Sequence, residues 1–235
     1  MTCLGDHVFA DAVADAVRLL RGLGVEVDVP VGQTCCGQPA HNAGYAADAG
    51  RVAEHTVSVL NGTEAVVTPS GSCAAMLRHV YPKILSGGPA EEAARTLAAR
   101  TYELSEFIVR RLGITELGDG LHGRRVAYHH GCHALRGLGV RHEPLRLLAG
   151  AGADLVHWPA AEECCGFGGT FSVKLPHVSA GMADRKLDTL PPVDVLTSAD
   201  PGCLLQLGGR AGHRGHAVAV RHLATVLLEA THGPS

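Results

Sequence analysis

Two short stretches carry the chemistry of this chain. "GQTCCGQPA" holds Cys35, Cys36 and Gly37, and "EECCGFGGTFS" holds Cys164, Cys165 and Gly166. A single zinc ion is usually gripped by cysteines two to four residues apart, as in C-x-x-C. No C-x-x-C occurs here. Adjacent side chains diverge along an extended backbone, so two neighbouring thiolates reach one ion awkwardly and two irons of one cluster more comfortably. The pairs therefore favour a polynuclear centre. The glycine that follows each pair lets the backbone turn through positive φ or pass close to a cluster. The amides of "GFGGT" (166–170) can then donate to cluster sulfur and offset its negative charge. Three other readings compete. Buried thiols can be plain core residues, eight cysteines can make two zinc sites, and a vicinal disulfide can act as a redox switch.

The remaining cysteines show that the pattern is written twice. Cys3 to Cys35 and Cys132 to Cys164 each span 32 residues, while Cys36 to Cys73 spans 37 and Cys165 to Cys203 spans 38. "RLLRGLG" (18–24) answers "RLLAGAG" (146–152), and "VVTPSGSC" (66–73) answers "LTSADPGC" (196–203). Such self-similarity signals a duplication. The turn-rich "GDGLHG" (118–123) is its natural seam. This predicts a first repeat over 1–118 and a second over 119–235.

Alternating elements must position these residues. In the first repeat, periodicity predicts helices over 7–23, 42–60 and 90–112 and strands over 25–29 and 64–68. In the second it predicts strands over 124–128, 154–158, 194–197 and 217–220, helices near 143–149 and 175–189, and a closing helix. The result is an α/β fold of two pseudo-symmetric Rossmann-like halves, each with a mostly parallel sheet and one Cys-Cys-Gly motif. Ligands of such sheets gather beyond the carboxyl ends of strands, and Cys73, Cys132 and Cys203 all follow strand-like runs. The strand expected ahead of Cys3 has no residues to form it, so the first half is expected to lack it.

Composition narrows the class of protein. The 235 residues are 46% hydrophobic and 18% charged, with only 4% aromatic, so an Ala, Val and Leu core is expected. A net charge of −3 offers no basic footprint for nucleic acid. No apolar run approaches the ~20 residues of a membrane span, and the first residues lack a secretory signal. A cytoplasmic protein is expected, where structural disulfides are rare.

The doubled Cys…Cys-Cys-Gly…Cys pattern resembles the cysteine-rich CCG domain family. The stretches that carry the resemblance are "GQTCCGQPAHNAGY" (32–45), "SGSC" (70–73), "CCGFGGTFSVK" (164–174) and "SADPGCLLQLGGR" (198–210). The family includes a component of heterodisulfide reductase and the iron–sulfur subunits of glycolate oxidase and anaerobic glycerol-3-phosphate dehydrogenase. Its lactate-utilization members match these stretches almost residue for residue. The resemblance implies an iron–sulfur electron-transfer subunit that works with lactate utilization proteins B and C in oxidising L-lactate to pyruvate. It implies one centre on Cys3, Cys35, Cys36 and Cys73 and another on Cys132, Cys164, Cys165 and Cys203. The family pattern ends in C-x-x-C, but here Ser70 and Asp200 stand where a fifth cysteine belongs. Four thiolates per half suit a [4Fe–4S] cluster, one or two per chain. Asp200 offers an oxygen ligand or, before Pro201, a simple turn former.

Oxidation of a hydroxy acid also needs a cation for the carboxylate and a base for the hydroxyl proton. His41, His129, His130 and His133 are candidate bases, and Arg136 and Lys174 candidate cations, though 15 histidines make any one of them weakly informative. "GFGGTFS" lacks the Lys of a phosphate loop, and nothing points to an NAD or flavin site. The rival readings are a zinc-stabilised assembly scaffold and a subunit acting on glycolate or a thiol–disulfide substrate. The missing ferredoxin-type segment argues against the glycolate and glycerol-phosphate subunits.

Overall fold

The computed structural model describes residues 3–232, apart from the side chains of Cys3 and Asp6. The first half begins with α1 (Cys3–Val8) and α2 (Ala10–Gly22). Ala12, Ala16, Leu19 and Leu20 recur at helical spacing on α2 and are all buried. Next come α3 (Gln38–Asn42) and α4 (Ala46–Val59), then β1 (Val66–Thr68). After β1 the chain forms α5 (Gly71–Ala75), a wider π-helical stretch (Met76–Val80) and α6 (Tyr81–Ile84). The half ends with α7 (Glu91–Ala99), β2 (Thr101–Glu103), α8 (Leu104–Glu106) and a second π-helical stretch (Phe107–Arg111).

The second half runs through β3 (Arg125–Tyr128), a π-helical stretch (His133–Leu138), α9 (Glu143–Gly150) and β4 (Asp154–Leu155). It continues with α10 (Thr170–Lys174), α11 (Pro176–Leu187), β5 (Val195–Ser198), α12 (Pro201–His213), β6 (Ala219–His222) and α13 (Leu223–Ala230). Both sheets are parallel: β1 pairs β2, and the second sheet has the order β4-β3-β5-β6. β5 is buried along its whole length, as a central strand covered on both faces must be. The chain is thus an α/β protein of two halves, each with a parallel sheet and one Cys-Cys-Gly motif.

Several expected elements differ. Residues 25–29 form no strand. Val25 and Val27 are half-buried against the main core while Glu26 and Asp28 face out, so the alternation reflects burial without ladder pairing. The helix expected over 90–112 is broken by β2, where Thr101 to Glu103 pair with Val66 to Thr68. The strand expected over 154–158 shortens to Asp154–Leu155. α12 was not expected, because Gly202, Gly208, Gly209 and Gly212 lower its intrinsic propensity. Its buried Leu204, Leu207 and Ala211 still form a helical stripe. The absence of a strand ahead of Cys3 concerns residues outside those described.

One core joins the halves. Leu19 and Leu20 pack in the same cluster as Leu104, Ile108, Val126, Leu147, Leu223 and Leu227. Helix α2 lies against α13, and α5 lies against the His133–Leu138 stretch. Gly71 makes the second contact possible, since a Cβ there would sit 2.5 Å from the Ala134 Cβ.

Candidate metal centre

In the second half, three adjacent segments deliver the thiols. β3 ends at Tyr128 and turns through His129 to Cys132, and β5 ends at Ser198 just before α12, whose third residue is Cys203. Between them in sequence lies the Cys164-Cys165-Gly166 loop. Gly166 has φ 85°, and a Cβ there would stand 2.5 Å from the Ser179 carbonyl oxygen, so only glycine fits. The four thiols neighbour one another in series, Cys132 by Cys164, Cys164 by Cys165 and Cys165 by Cys203. Cys164 accepts from Cys132 and Cys165, which holds its thiol far below the usual range, and the donating Cys132 and Cys165 are pushed up. Backbone amides add to this: Gly166 N–H donates to Cys164 Sγ at 3.4 Å and Phe167 N–H to Cys165 Sγ at 3.5 Å. No described cysteine is in a disulfide.

Two more buried groups border these thiols. A ring nitrogen of His129 and the sulfurs of Cys165 and Cys203 all lie within 4.8 Å of one another. His129 is fully buried, and desolvation with the nearby Lys186 charge lowers its pKa to about 3, so the ring is neutral. Lys186 is also fully buried; its Nζ donates to the Ala160 carbonyl and lies 4.0 Å from the centre of the Trp158 ring. Burial lowers its pKa to about 8, opposed by the Cys165 and Cys203 thiols. Sequence reasoning missed Lys186. The one signal was the offset of 129 residues between Cys35 and Cys164, which carries α4 onto α11 and sets Lys186 where the first half has the buried Val57.

The first half repeats the thiol arrangement in part. Cys36 and Cys73 are buried, with Cys36 Sγ donating to Cys73 Sγ at 3.6 Å. That bond lowers the Cys73 pKa, aided by Ser70, while Cys36 is raised by its contacts with Cys35 and Cys73. Gly37 turns with φ 81°. Tyr81 is fully buried and its hydroxyl donates to the Cys36 carbonyl at 2.9 Å. A cleft lined by Thr34, Cys36, Thr56, Val67 and Cys73 opens onto these thiols. The Cys3 side chain lies outside the described residues; its backbone opens α1, which packs on α2 and on α12.

Ser70 and Asp200, which stand where a fifth cysteine was expected, meet each other between the two groups. Asp200 Oδ1 accepts from the Ser72 amide at 2.9 Å and from the Ser70 hydroxyl at 3.3 Å. Asp200 is the N-cap residue of α12, yet its carboxylate makes no capping bond there and serves the opposite half instead. Two further counterparts sit at strand ends. Glu103 caps α8 by accepting from the Ser105 and Glu106 amides, and His222 caps α13 by accepting from the Ala224 amide. His222 Nε2 then donates across the halves to the Pro69 carbonyl at 3.0 Å.

The substrate candidates differ in burial. His130 is buried edge-on to Tyr128, and burial lowers its pKa to about 4. His133 and Arg136 are exposed on one π-helical stretch, Lys174 is exposed on α10, and His41 is half-buried on α3.

Contiguous thiols, amide donors, a neutral imidazole and a buried cation make a donor set for a thiophilic metal such as iron or zinc. A doubled α/β fold with such a thiol group at the carboxyl end of each sheet defines a class of cysteine-rich protein. The chain belongs to the cysteine-rich CCG domain family, whose profile matches residues 1–78 and 126–208. It is 47% identical over 231 residues to lactate utilization protein A of Geobacillus thermodenitrificans, covering 97% of this chain and 96% of that protein. It is 43% identical to the Bacillus subtilis protein of the same name, again over 97% and 96%. The Oceanobacillus iheyensis counterpart is 43% identical over 97% of this chain and 94% of its own length.

Proposed function

We propose that this chain is an iron–sulfur electron-transfer subunit in the oxidation of L-lactate to pyruvate, acting with lactate utilization proteins B and C. The observation that carries the reading is the gathering of Cys132, Cys164, Cys165 and Cys203 at one place, with amides donating to the sulfurs of Cys164 and Cys165 and the sulfurs of Cys165 and Cys203 within 4.8 Å of each other. Its relatives' shared name supplies the substrate. Bound clusters, one or two of the [4Fe–4S] type, would supply one-electron chemistry. In the second half, Cys132, Cys164, Cys165 and Cys203 hold the metal. Gly166, Phe167 and Lys186 offset its negative charge, and Trp158, Leu196 and Leu207 keep water from its buried side. In the first half, Cys35, Cys36 and Cys73 are the described ligands and Cys3 the fourth. The same reading divides the chain into repeats 1–118 and 119–235 and places it in the cytoplasm, where thiols stay reduced. No described helix is long and apolar enough to cross a membrane.

The second reading is a zinc-stabilised scaffold for the same partners. It is favoured by the His129–Cys165–Cys203 group, whose ligand atoms lie within 4.8 Å of one another. Iron, acid-labile sulfide and zinc per chain, measured on protein kept free of oxygen, separate the two. About eight irons and eight sulfides mean two [4Fe–4S] centres, and about four of each mean one. Zinc without sulfide ends the electron-transfer reading.

A further inference from the structure

The cysteines of the second half do not exhaust its donors. One ring nitrogen of His129 has no polar role that the fold itself explains. Its ring Nδ1 lies 3.1 Å from the Ala161 carbonyl oxygen. A carbonyl only accepts, so Nδ1 carries the proton and Nε2 carries the lone pair. Nε2 is buried and has no hydrogen-bond partner among the described residues. Buried polar atoms are nearly always paired, so an orphan of this kind points to a ligand. The ring is also held in place. The His129 amide donates to the Thr197 carbonyl at 2.8 Å, which locks the residue to the end of β5, and its ring meets Trp158 edge-on at 6.3 Å. A metal-ligating histidine characteristically gives its other nitrogen to a carbonyl or carboxylate, which fixes both tautomer and orientation. His129 already has that arrangement, with the sulfurs of Cys165 and Cys203 in the same 4.8 Å group. Metal–sulfur and metal–nitrogen bonds of about 2.3 and 2.0 Å bring ligands within roughly 4 Å of each other, so a small closure completes the set.

We propose that His129 is a metal ligand of the second-half centre, binding through Nε2 beside Cys165 and Cys203. This rests on the reading of those cysteines as metal ligands, and it gives the second centre mixed nitrogen and sulfur ligation. Asp200, the other candidate for an additional ligand, has its Oδ1 committed to Ser72 and Ser70.

The test uses the full chain, prepared and reconstituted anaerobically, with natural histidine or with 15N-histidine. Metal content is measured first. Bound iron is then read by electron spin-echo envelope modulation of the reduced protein, and bound zinc by X-ray absorption. The expected result is one directly bound histidine nitrogen, lost in His129→Gln and kept in His130→Gln; in the iron-loaded protein its echo modulation also changes with the isotope. Because both spectra are first taken on the unaltered chain, the presence of a bound histidine is read even where His129→Gln folds poorly. Metal present without a bound histidine nitrogen overturns this proposal and leaves the metal-binding reading intact. So does a signal lost in His130→Gln and kept in His129→Gln. A chain that takes up no metal overturns both.

Discussion

The two cysteine groups share a skeleton and differ in what surrounds it. In each, the first cysteine of the pair is half-buried, the second is buried, and the next glycine turns with φ 81° or 85°. In each, a later cysteine sits in the first turn of a helix that follows a strand. The neighbours diverge. Where the first half packs Val57 beside Cys36 and Cys73, the second buries Lys186 beneath Cys165 and Cys203. Where the second half ends β6 in the neutral His222, the first ends β2 in Glu103. The repeat therefore fixes where the thiols go, and single buried residues set the charge around them. On the proposed iron–sulfur reading, a cluster in more positive surroundings is easier to reduce, so the second centre is expected at the higher potential.

The largest effect comes from removing a thiolate. Cys164→Ser is expected to empty the second centre and leave the first, and Cys36→Ser to do the reverse. Metal per chain falls by about half in each, as two four-thiolate sites require. If either variant loses all its metal, the halves are not separate sites. Next come the turn glycines. A Cβ on Gly166 meets the Ser179 carbonyl at 2.5 Å and Met182 Cβ at 3.0 Å, whereas on Gly37 it meets only the Val52 side chain at 3.3 Å and lesser contacts. Both substitutions cost about 1–3 kcal/mol for positive φ, but Gly166→Ala adds a backbone clash. Thermal unfolding should show Gly166→Ala as clearly the more destabilised, and equal losses would mean that the second loop moves aside freely.

This asymmetry was only partly legible in the sequence. The cysteines were, because type and spacing carry their meaning directly. β3 and β5 were, because a short apolar run delivering a cysteine leaves few alternatives. Thr101–Glu103 was not, because the Ala-rich helical pattern before it continues through its positions and only pairing with Val66–Thr68 makes it a strand. Lys186 and Glu103 were invisible for a different reason. A charged side chain reads as solvated unless tertiary neighbours enclose it, and those neighbours come from distant segments: Trp158 and Ala160 for Lys186. His129 was singled out only as a base for substrate, since nothing local shows that Ala161 takes one nitrogen and leaves the other.

The two buried charges give opposite pH signatures in metal-free, reduced protein. Burial raises the Glu103 pKa from 4.5 to about 7. The folded state thus binds the extra proton, and this stabilising term is full below pH 4.5 and lost as pH rises through 7. Burial lowers Lys186 from 10.5 to about 8. Its term is full above pH 10.5 and lost as pH falls through 8. Glu103→Gln should therefore gain on the wild type by about 2 kcal/mol between pH 5 and 8, and Lys186→Met should lose a similar advantage between pH 7 and 10. Denaturant midpoints across pH read both. In the loaded protein, Lys186→Met should lower the potential of one centre alone. A shift in both centres, or in neither, removes the electrostatic account of the difference.

The smallest effect lies at the contact between the groups. The Asp200 charge acts on Cys73 of the first half and Cys132 of the second, yet its Oδ1 is taken by Ser72 and Ser70 of the first. Asp200→Asn keeps a carbonyl oxygen for the Ser72 amide and exchanges a charged hydrogen bond for a neutral one, a loss of about 1 kcal/mol. Metal content of both halves should be unchanged, because the role of Oδ1 is to order the Ser70–Ser72 turn, and the amide carbonyl keeps that role. Loss of metal from the second half alone would make Asp200 a ligand of its own centre. Loss from the first half alone would show that the first centre depends on its neighbour for the placement of Cys73.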